Sequence, residues 1–340
     1  MTRKSHSVTI RQVAQKAGVS VATVSRYINH NAPISEEVAK RLKKVMQDLQ
    51  YVPHTAARNL ASRKTHTIGL LLMKIHRDFF APLLSGVESV VSEHNHIMLV
   101  ATSDPEKSNG NVAAIGAHNT DGLLIFANSL SNQQVRQLYQ KKVPMVLIHR
   151  SAPDALAIPS VTVENKAATR NIIDHLIEVH HRRNIIFMRG PENQEDSYWR
   201  EIGYKASLKS HGISYDEKLI LAGEFEREVS YKSLMDFLAC ENHPPFDAIF
   251  SGDDDAAIGA IRALNESGIQ IPEQVSLVGF DDFRLAPFLN PTLTTVRAPT
   301  ENVGRMAAEQ LFRLMEGQNV EATTLLPTEI ILRRSCGCKV

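Results

Sequence analysis

The chain has 340 residues, more than one ordinary domain holds, and 43% of them are hydrophobic, enough for packed cores. It has no apolar run near 18 residues, no positively charged and apolar opening segment, and only three cysteines, so we expect a cytoplasmic protein without membrane spans or export. Residues 1–66 hold 12 Lys or Arg against 3 Asp or Glu (+9), and the other residues hold 26 against 34 (−8). A basic head on an acidic body favours a nucleic-acid partner for the head.

The head begins with two predicted helices joined by a short turn. Thr9 caps the first helix, which ends at Gly18, where a sharp turn costs little. Ser20 caps the second helix, which runs from residue 21 to about residue 29. Its apolar side chains, three and four residues apart, are predicted to face inward; they are Val21, Val24 and Ile28. The outward face then carries Ala22, Thr23, Ser25, Arg26 and Asn29.

Two helices with so short a glycine-containing connection are typical of the helix-turn-helix, whose second helix enters the DNA major groove. Ser35 caps a third predicted helix, which supports the first two with one apolar face. A helical hairpin that packs on another protein is the alternative.

Three segments carry a specific resemblance: residues 9–14 (TIRQVA), 17–26 (AGVSVATVSR) and 51–53 (YVP). In them the chain resembles the lactose-repressor (LacI/GalR) family of transcription regulators, and the likeness covers essentially the whole chain. It implies that Val21, Ala22 and Arg26 read base edges, as the chemistry of guanine and of the thymine methyl allows. It also implies that phosphates are held by Thr23, Ser25 and Asn29. The complete predicted DNA-binding set is Thr9, Ser20, Val21, Ala22, Thr23, Ser25, Arg26, Asn29, Tyr51, His54, Ala57 and Leu60.

Residues 54–66 form the predicted linker. Its apolar seam, which includes Ala57 and Leu60, is too small to fold alone, because isolated helices this short are marginal. In the family this hinge helix orders on DNA, pairs with its dimer mate and wedges a leucine into the minor groove; Leu60 matches that leucine. A plain flexible linker is the alternative.

The body alternates short apolar runs with amphipathic helices. The predicted strands cover residues 68–73, 97–101, 123–126, 145–148, 185–188, 219–221, 248–250 and 275–280, and helices such as 83–94, 167–179 and 256–266 lie between them. This alternation indicates parallel sheets covered by helices on both faces. Eight central strands suit two sheets better than one, with a break after residue 163 and recrossings near 294–297 and 326.

The resulting fold class is an all-α helix-turn-helix head plus an α/β body of two parallel-sheet subdomains, similar to periplasmic binding proteins. The predicted domains are residues 1–53, the hinge 54–66, and an effector-binding and dimerisation domain, 67–340. Within the last, the N-subdomain takes about 67–162 and 296–325, and the C-subdomain about 163–293 and 326–340. Ligands of open α/β folds bind where the strand carboxyl ends point, which here is the cleft between the subdomains.

Candidate ligand-binding residues follow directly after the predicted strands. Carboxylates that can accept sugar hydroxyls are Asp253, Asp281 and, as a weaker candidate, Asp196. Arg200 matches the ligand-holding arginine of the family, and a planar donor opposite carboxylates suits a sugar. The resemblance places apolar or aromatic side chains against the flat face of the ligand at Phe79, Phe80 and Phe225.

Each candidate also has a plainer interpretation. Asp281 can cap a following turn, and Arg200 can pair with Asp196 or Glu201. The run Asp253, Asp254 and Asp255 favours a helix N-terminus over a metal site, because no His accompanies it at fixed spacing. The two phenylalanines at 79 and 80 can be ordinary core.

Two features depart from the family or stand outside it. Many relatives have an aspartate after the fourth strand, where this chain has His149; if His149 lines the cleft, a phosphorylated or acidic sugar becomes more credible than a neutral one. Cys336 and Cys338 supply only half of a zinc site, so we treat them as part of the tail and expect no metal and no cofactor.

These features together predict a repressor whose operator affinity a carbohydrate-like effector controls. Two symmetric heads imply a homodimer on a pseudo-palindromic operator. A purine-responsive corepressor-type regulator of the same fold is the main alternative. An enzyme is not expected, because the chain contains none of the nucleophile-elbow, phosphate-loop or zinc-protease motifs.

Overall fold

A computed structural model describes residues 8–29, 32–51, 64–75, 78–103 and 119–339, without the side chains of Asn29 and Ala155. The chain divides into two compact units, Met1–Thr65 and His66–Val340. Within the described residues, no helix combines the length and the apolarity needed to cross a lipid bilayer.

The first unit is built from three helices: α1 (Ile10–Ala17), α2 (Val21–Asn29) and α3 (Glu36–Asp48). A capping box starts α1, in which Thr9 and Gln12 each accept a hydrogen bond from the backbone N–H of the other. Gly18 ends α1 in the left-handed conformation, with φ of 64°, that turns the chain into α2. The buried core of this unit consists of Val13, Ala14, Ala17, Val24, Leu42 and Val45.

The second unit contains seven further helices and twelve strands among the described residues. The helices are α4 (Phe80–Glu93), α5 (Asn132–Gln140), α6 (Asn165–Glu178), α7 (Glu195–Ser210), α8 (Arg227–Leu238), α9 (Asp254–Glu266) and α10 (Thr300–Met315). The strands are β1 (Thr67–Leu72), β2 (Ile97–Thr102), β3 (Gly122–Phe126), β4 (Met145–Ile148), β5 (Ser160–Val163), β6 (Ile185–Arg189), β7 (Ile220–Ala222), β8 (Ala248–Ser251), β9 (Ser276–Asp281), β10 (Thr294–Arg297), β11 (Thr323–Leu326) and β12 (Glu329–Ile331).

The strands form two six-stranded sheets, in the orders β11-β5-β4-β3-β1-β2 and β12-β10-β9-β8-β6-β7. Every neighbouring pair is parallel except β10 and β12. The predicted fold class, a helical head with a body of two parallel sheets, is confirmed. After β10 the chain returns to the first sheet through α10 and β11, and β12 then rejoins the second sheet.

Buried β-branched and aliphatic side chains explain the parallel sheets. β3 and β4 are buried along their whole length, which is expected for strands covered by helices on both faces. On one face of the first sheet, α4 and α10 pack together, with Leu83 and Leu311 fully buried. This arrangement leaves the loops at the strand carboxyl ends free to carry polar side chains.

Candidate functional site

The outward face of α2 is the candidate surface of the first unit. Ser20 caps the helix by accepting a 3.1 Å hydrogen bond from the Thr23 backbone N–H. Val24 is fully buried, whereas Val21 is 42% exposed, so the prediction that Val21 faces inward is wrong. It lies one turn before Val24 but close to the helix start, beyond the reach of the core, and Ala22 and Arg26 are exposed beside it.

The other predicted DNA-binding residues of this unit have the following places. Thr9 is exposed and caps α1; Thr23 and Ser25 are half-buried on α2, and Tyr51 is half-buried after α3. The side chain of Asn29 and the predicted hinge contacts His54, Ala57 and Leu60 lie outside the described residues.

The second unit contains a cavity of about 660 Å³ at the carboxyl ends of its strands. Met73 and Lys74 follow β1, Phe126 ends β3, and Phe225 lies beyond the end of β7. The cavity therefore lies where both sheets direct the ends of their parallel strands, as open α/β folds require. The predicted residues that line it are Phe79, Phe80, Asp196, Arg200, Phe225, Asp253 and Asp281.

Arg200, in the second turn of α7, is the most constrained of these side chains. Its Nε donates to Asn165 Oδ1 over 2.8 Å, one Nη donates to the Gly252 carbonyl, and the other lies 3.4 Å from Asp281 Oδ1. The guanidinium carbon stands 3.6 Å from the centre of the Phe280 ring. The side chain is only 3% exposed, so this cation is held in place by buried partners before any ligand arrives. Its ion pair is with Asp281, not with Glu201.

Asp196 joins the two halves of the cavity. Its carboxylate accepts a 2.8 Å hydrogen bond from Asn165 Nδ2 and lies 2.8 Å from His149 Nδ1, a residue that follows β4 of the other sheet. Burial alone would raise the pKa of Asp196, but His149, Arg200 and Asn165 together hold that pKa below its usual value. Asp196 is therefore a carboxylate, ready to accept hydrogen bonds.

His149 does not line the cavity. Its side chain is 2% exposed and packs edge-on against Phe79, with Phe126 also in ring contact. The expectation that His149 exchanges hydrogen bonds directly with a ligand has no support in this geometry, because Asp196, its partner, lines the cavity and His149 does not. Within the described residues its Nε2 atom has no hydrogen-bond partner.

The three consecutive aspartates have three different partners. Asp253 caps α9 by accepting from the Ala256 backbone N–H over 2.8 Å, as the helix interpretation predicts. Asp254 is fully buried and accepts from Thr295 Oγ1 (2.6 Å), and burial raises its pKa well above the usual value. Asp255 pairs with Arg227 at 2.6 Å. Their carboxylates point apart, and only Asp253 lines the cavity.

Phe225 rests on two glycines that sequence reasoning missed. A Cβ built on Gly190 would lie 2.1 Å from the Phe225 ring, and one on Gly252 would lie 3.0 Å from it. Phe225 itself has a φ of 54°, a strained value for an aromatic residue. The ring is therefore fixed as one apolar wall of the cavity, while Phe79 provides a second. Phe80 both lines the cavity and belongs to the core.

Direct contacts join the two sheets across the cleft. Lys74 pairs with Glu226, and Asn128 Nδ2 donates to the Asn193 carbonyl over 2.5 Å. The backbone N–H and hydroxyl of Ser151 donate to the Glu195 carboxylate at 2.9 and 2.7 Å. The two subdomains are thus held together by polar contacts that a change in cleft opening would break.

Several lining residues were not predicted. Most of them lie in the segments that follow strands, whereas Phe126 is the last residue of β3 and Val229 lies in the first turn of α8. They are Met73, Lys74, Phe126, Pro191, Glu192, Asn193, Gln194, Glu224, Glu226 and Val229. Asn165, which orients both Asp196 and Arg200, was missed as well, because nothing in the local sequence at the start of α6 indicates its partners.

Two families match separate parts of the chain. Residues 9–54 match "Bacterial regulatory proteins, lacI family", and residues 173–336 match "Periplasmic binding protein-like domain". The first match covers the three head helices, and the second covers all six strands of the second sheet together with β11.

Similar proteins span nearly the whole chain. It is 30% identical to the HTH-type transcriptional repressor CytR of Escherichia coli (strain K12), over 97% of this chain and 96% of that one. Among solved structures it is similar to a transcriptional regulator CelR–cellobiose complex, with 28% identity, a TM-score of 0.72, and coverage of 96% and 99%. It is also similar to the lac repressor dimer bound to operator and the anti-inducer ONPF, with 25% identity, a TM-score of 0.82, and coverage of 97% and 99%.

Proposed function

The chain belongs to the lacI family of bacterial regulatory proteins, and from that premise we propose that it is a repressor released from its operator by a neutral sugar. The observation that carries the ligand half of the proposal is the cavity at the strand ends, in which buried, oriented polar groups stand between aromatic walls.

For the DNA half, we assign base reading to the exposed face of α2. Val21 is a large apolar side chain left exposed on a short helix, and Ala22 and Arg26 flank it. Apolar side chains of this kind contact thymine methyls, and the guanidinium pairs with guanine. Phosphate contacts are assigned to Thr9, Ser20, Thr23, Ser25, Asn29 and Tyr51, and contacts of the hinge (residues 54–66) to His54, Ala57 and Leu60.

The charges of the cavity favour a neutral ligand. Two cations, Lys74 and Arg200, line it, against six carboxylates: Glu192, Asp196, Glu224, Glu226, Asp253 and Asp281. A phosphorylated or acidic sugar would add negative charge to this surplus, whereas sugar hydroxyls can donate to the carboxylates. An acidic ligand would be favoured by a histidine in the cleft, but His149 pairs with Asp196 and does not line the cavity. The CelR relative, which is bound to the neutral disaccharide cellobiose, supports the same choice.

Control of DNA binding follows from the cross-cleft contacts. Pairs such as Lys74–Glu226 and Ser151–Glu195 join the two sheets only when the cleft is closed. A ligand that binds between the sheets therefore shifts the equilibrium between the open and the closed cleft. A ligand shifts this balance only as far as its affinities for the two states differ. Release on ligand binding requires that the sugar bind more tightly to the state in which the spacing of the two heads does not fit the operator.

We further propose that two copies of the chain form the DNA-binding unit. Large apolar side chains are exposed on the second unit, with Ile97 on the edge strand β2 exposed by 69% and Phe288 by 82%. Aromatic side chains such as Phe288 are enriched in protein–protein interfaces. The similar lac repressor structure is a dimer on its operator.

The experiment is a thermal-shift panel of the full chain against neutral sugars, sugar phosphates, sugar acids and purines. A ligand that binds the native state raises the melting temperature by mass action. The proposal expects a neutral sugar to act. A response to purines alone, or to anionic sugars alone, would contradict it.

A matched pair of variants locates the ligand. Asp253→Asn keeps an oxygen that caps α9, because Asn caps helices as well as Asp, but it removes the charge in the cavity. Asp255→Asn makes the same change two residues further on, outside the lining. The first variant should weaken sugar binding by about 10-fold or more, the cost of a lost hydrogen bond to a charged group, and the second should not.

A further inference from the structure

The last described segment of the chain carries two cysteines that the sequence alone assigns to the tail. A short 3-10 turn, Arg334–Cys336, follows β12 and places Cys336 and Cys338 against the end of α6. His175 lies in the last turn of α6, and His180 lies two residues beyond its end. The ligand atoms of all four side chains lie within 4.8 Å of one another. The fold thus brings two histidines to the two cysteines, which completes a set of four possible metal ligands.

The distances within this cluster match those around a tetrahedral metal ion. His175 Nε2 and His180 Nε2 are 3.2 Å apart, and Cys338 Sγ lies 3.5 and 3.4 Å from these two atoms. Zinc bonds of the usual length and angle put two nitrogens about 3.3 Å apart, and a nitrogen and a sulfur about 3.6 Å apart. These three ligand atoms therefore already have the spacing that the ion requires, and Cys336 Sγ lies within 4.8 Å of them.

Hydrogen bonds alone account poorly for this geometry. Each imidazole Nε2 has either one proton or one lone pair, directed along a single line in the ring plane. Each of them nevertheless faces two partners at 3.2–3.5 Å, the other imidazole and Cys338 Sγ. One metal ion bonded to both Nε2 atoms and to Cys338 Sγ would account for all three short separations at once.

The surroundings of the cluster also suit a thiolate ligand. Cys336 is fully buried, and Thr294 Oγ1 lies 3.1 Å from its Sγ atom, within donating distance. Donors to a coordinating sulfur orient the ligand and stabilise its charge. Gly337, between the cysteines, has a φ of 109°, and a Cβ there would lie 3.1 Å from the His180 ring. The turn between the cysteines is thus shaped closely around one of the imidazoles.

We propose that His175, His180, Cys336 and Cys338 bind one Zn²⁺ ion that fastens the C-terminal segment to α6. Two imidazoles with two thiolates in a tetrahedral arrangement are a donor set that selects zinc, and four protein ligands make the site structural. The ion ties the strand that completes the second sheet to a helix about 160 residues earlier in the chain. Because such a site exists only in the folded chain, its binding free energy stabilises the fold.

The test uses the full chain, purified in a thiol reductant without chelator. We expect one zinc per chain by elemental analysis, and cobalt in its place should give tetrahedral d–d bands with thiolate-to-cobalt charge-transfer absorption. Cys338→Ser should lower zinc affinity by at least about 100-fold, the upper end of what losing even an outer-shell partner costs. His180→Asn should do the same, so that one cysteine and one histidine of the cluster are each tested at a partly exposed position.

Cys240→Ser is the matched control, because Cys240 is exposed and outside the cluster. It should keep the metal, the cobalt spectrum and the loss of melting temperature on chelation, all of which Cys338→Ser should lack. The proposal is overturned if the wild-type chain holds no metal and gives no cobalt charge-transfer band. It is equally overturned if Cys240→Ser and Cys338→Ser behave alike, or if Cys336 and Cys338 form a disulfide in reductant.

Discussion

Replacing Arg200 by methionine removes the guanidinium that lies 3.4 Å from Asp281 Oδ1 and keeps a long, unbranched side chain. The side chains of Arg200 and Asp281 are 3% and 5% exposed, so the ion pair between them is buried. Removing one member of a buried ion pair costs about 3–5 kcal/mol. For a unit of this size that corresponds to a fall in melting temperature of about 6–20 °C.

The assay is thermal unfolding followed by the fluorescence of Trp199, the single tryptophan, which precedes Arg200 on α7. The double variant Arg200→Met with Asp281→Asn should recover part of the loss, because it also removes the buried negative charge that Arg200 offsets. Arg262→Met is the control: Arg262 makes exposed ion pairs with Glu266 and Glu228, which solvent screens. The reasoning is refuted if Arg200→Met lowers the melting temperature no more than Arg262→Met does.

Three further predictions concern pH, the cavity wall and the head. The depressed pKa of Asp196 means that its ionised form stabilises the fold above the pKa that Asp has in the unfolded chain, and that this stabilisation is lost as the pH falls. The difference in melting temperature between wild type and Asp196→Asn should therefore narrow below about pH 4. A difference that does not change with pH would contradict a stabilising role of the ionised carboxylate. Gly190→Ala places a Cβ 2.1 Å from the Phe225 ring, so urea titration should show a loss of about 1–3 kcal/mol and the panel a weaker sugar response; an unchanged response would exclude the assigned wall. Thr9→Ala removes the capping box of α1 and should cost the head about 1 kcal/mol in calorimetric unfolding, unlike the exposed Gln15→Ala, which makes no cap.

The position of the cavity could be predicted from sequence because it follows from topology. Parallel strands end at the same edge, so residues such as Asp253 and Asp281, which come directly after apolar runs, had to approach one another. The helical period likewise predicted that Val24 is buried. It failed for Val21, because the period gives the direction of a side chain but not how far the neighbouring core extends.

Contacts between distant segments could not be read from the sequence. Asn165 acquires its role from the packing of α6 on α7, which brings Asp196 and Arg200 to its two amide atoms. His149 is adjacent to a strand end, as the lining residues are. Its ring nevertheless packs against Phe79 and pairs with Asp196 instead of lining the cavity. The approach of two cysteines to histidines some 160 residues away depends on the final strand crossing, which has no local signal.

The most direct test of the central claim joins the two halves of the chain. A duplex selected from a random pool by the full chain is titrated at one fixed salt concentration, with and without the sugar found in the thermal-shift panel. The account predicts that saturating sugar raises the Kd for that duplex by about 5–150-fold, the usual range of allosteric coupling. A Kd that stays the same, or that falls, would contradict release by the sugar.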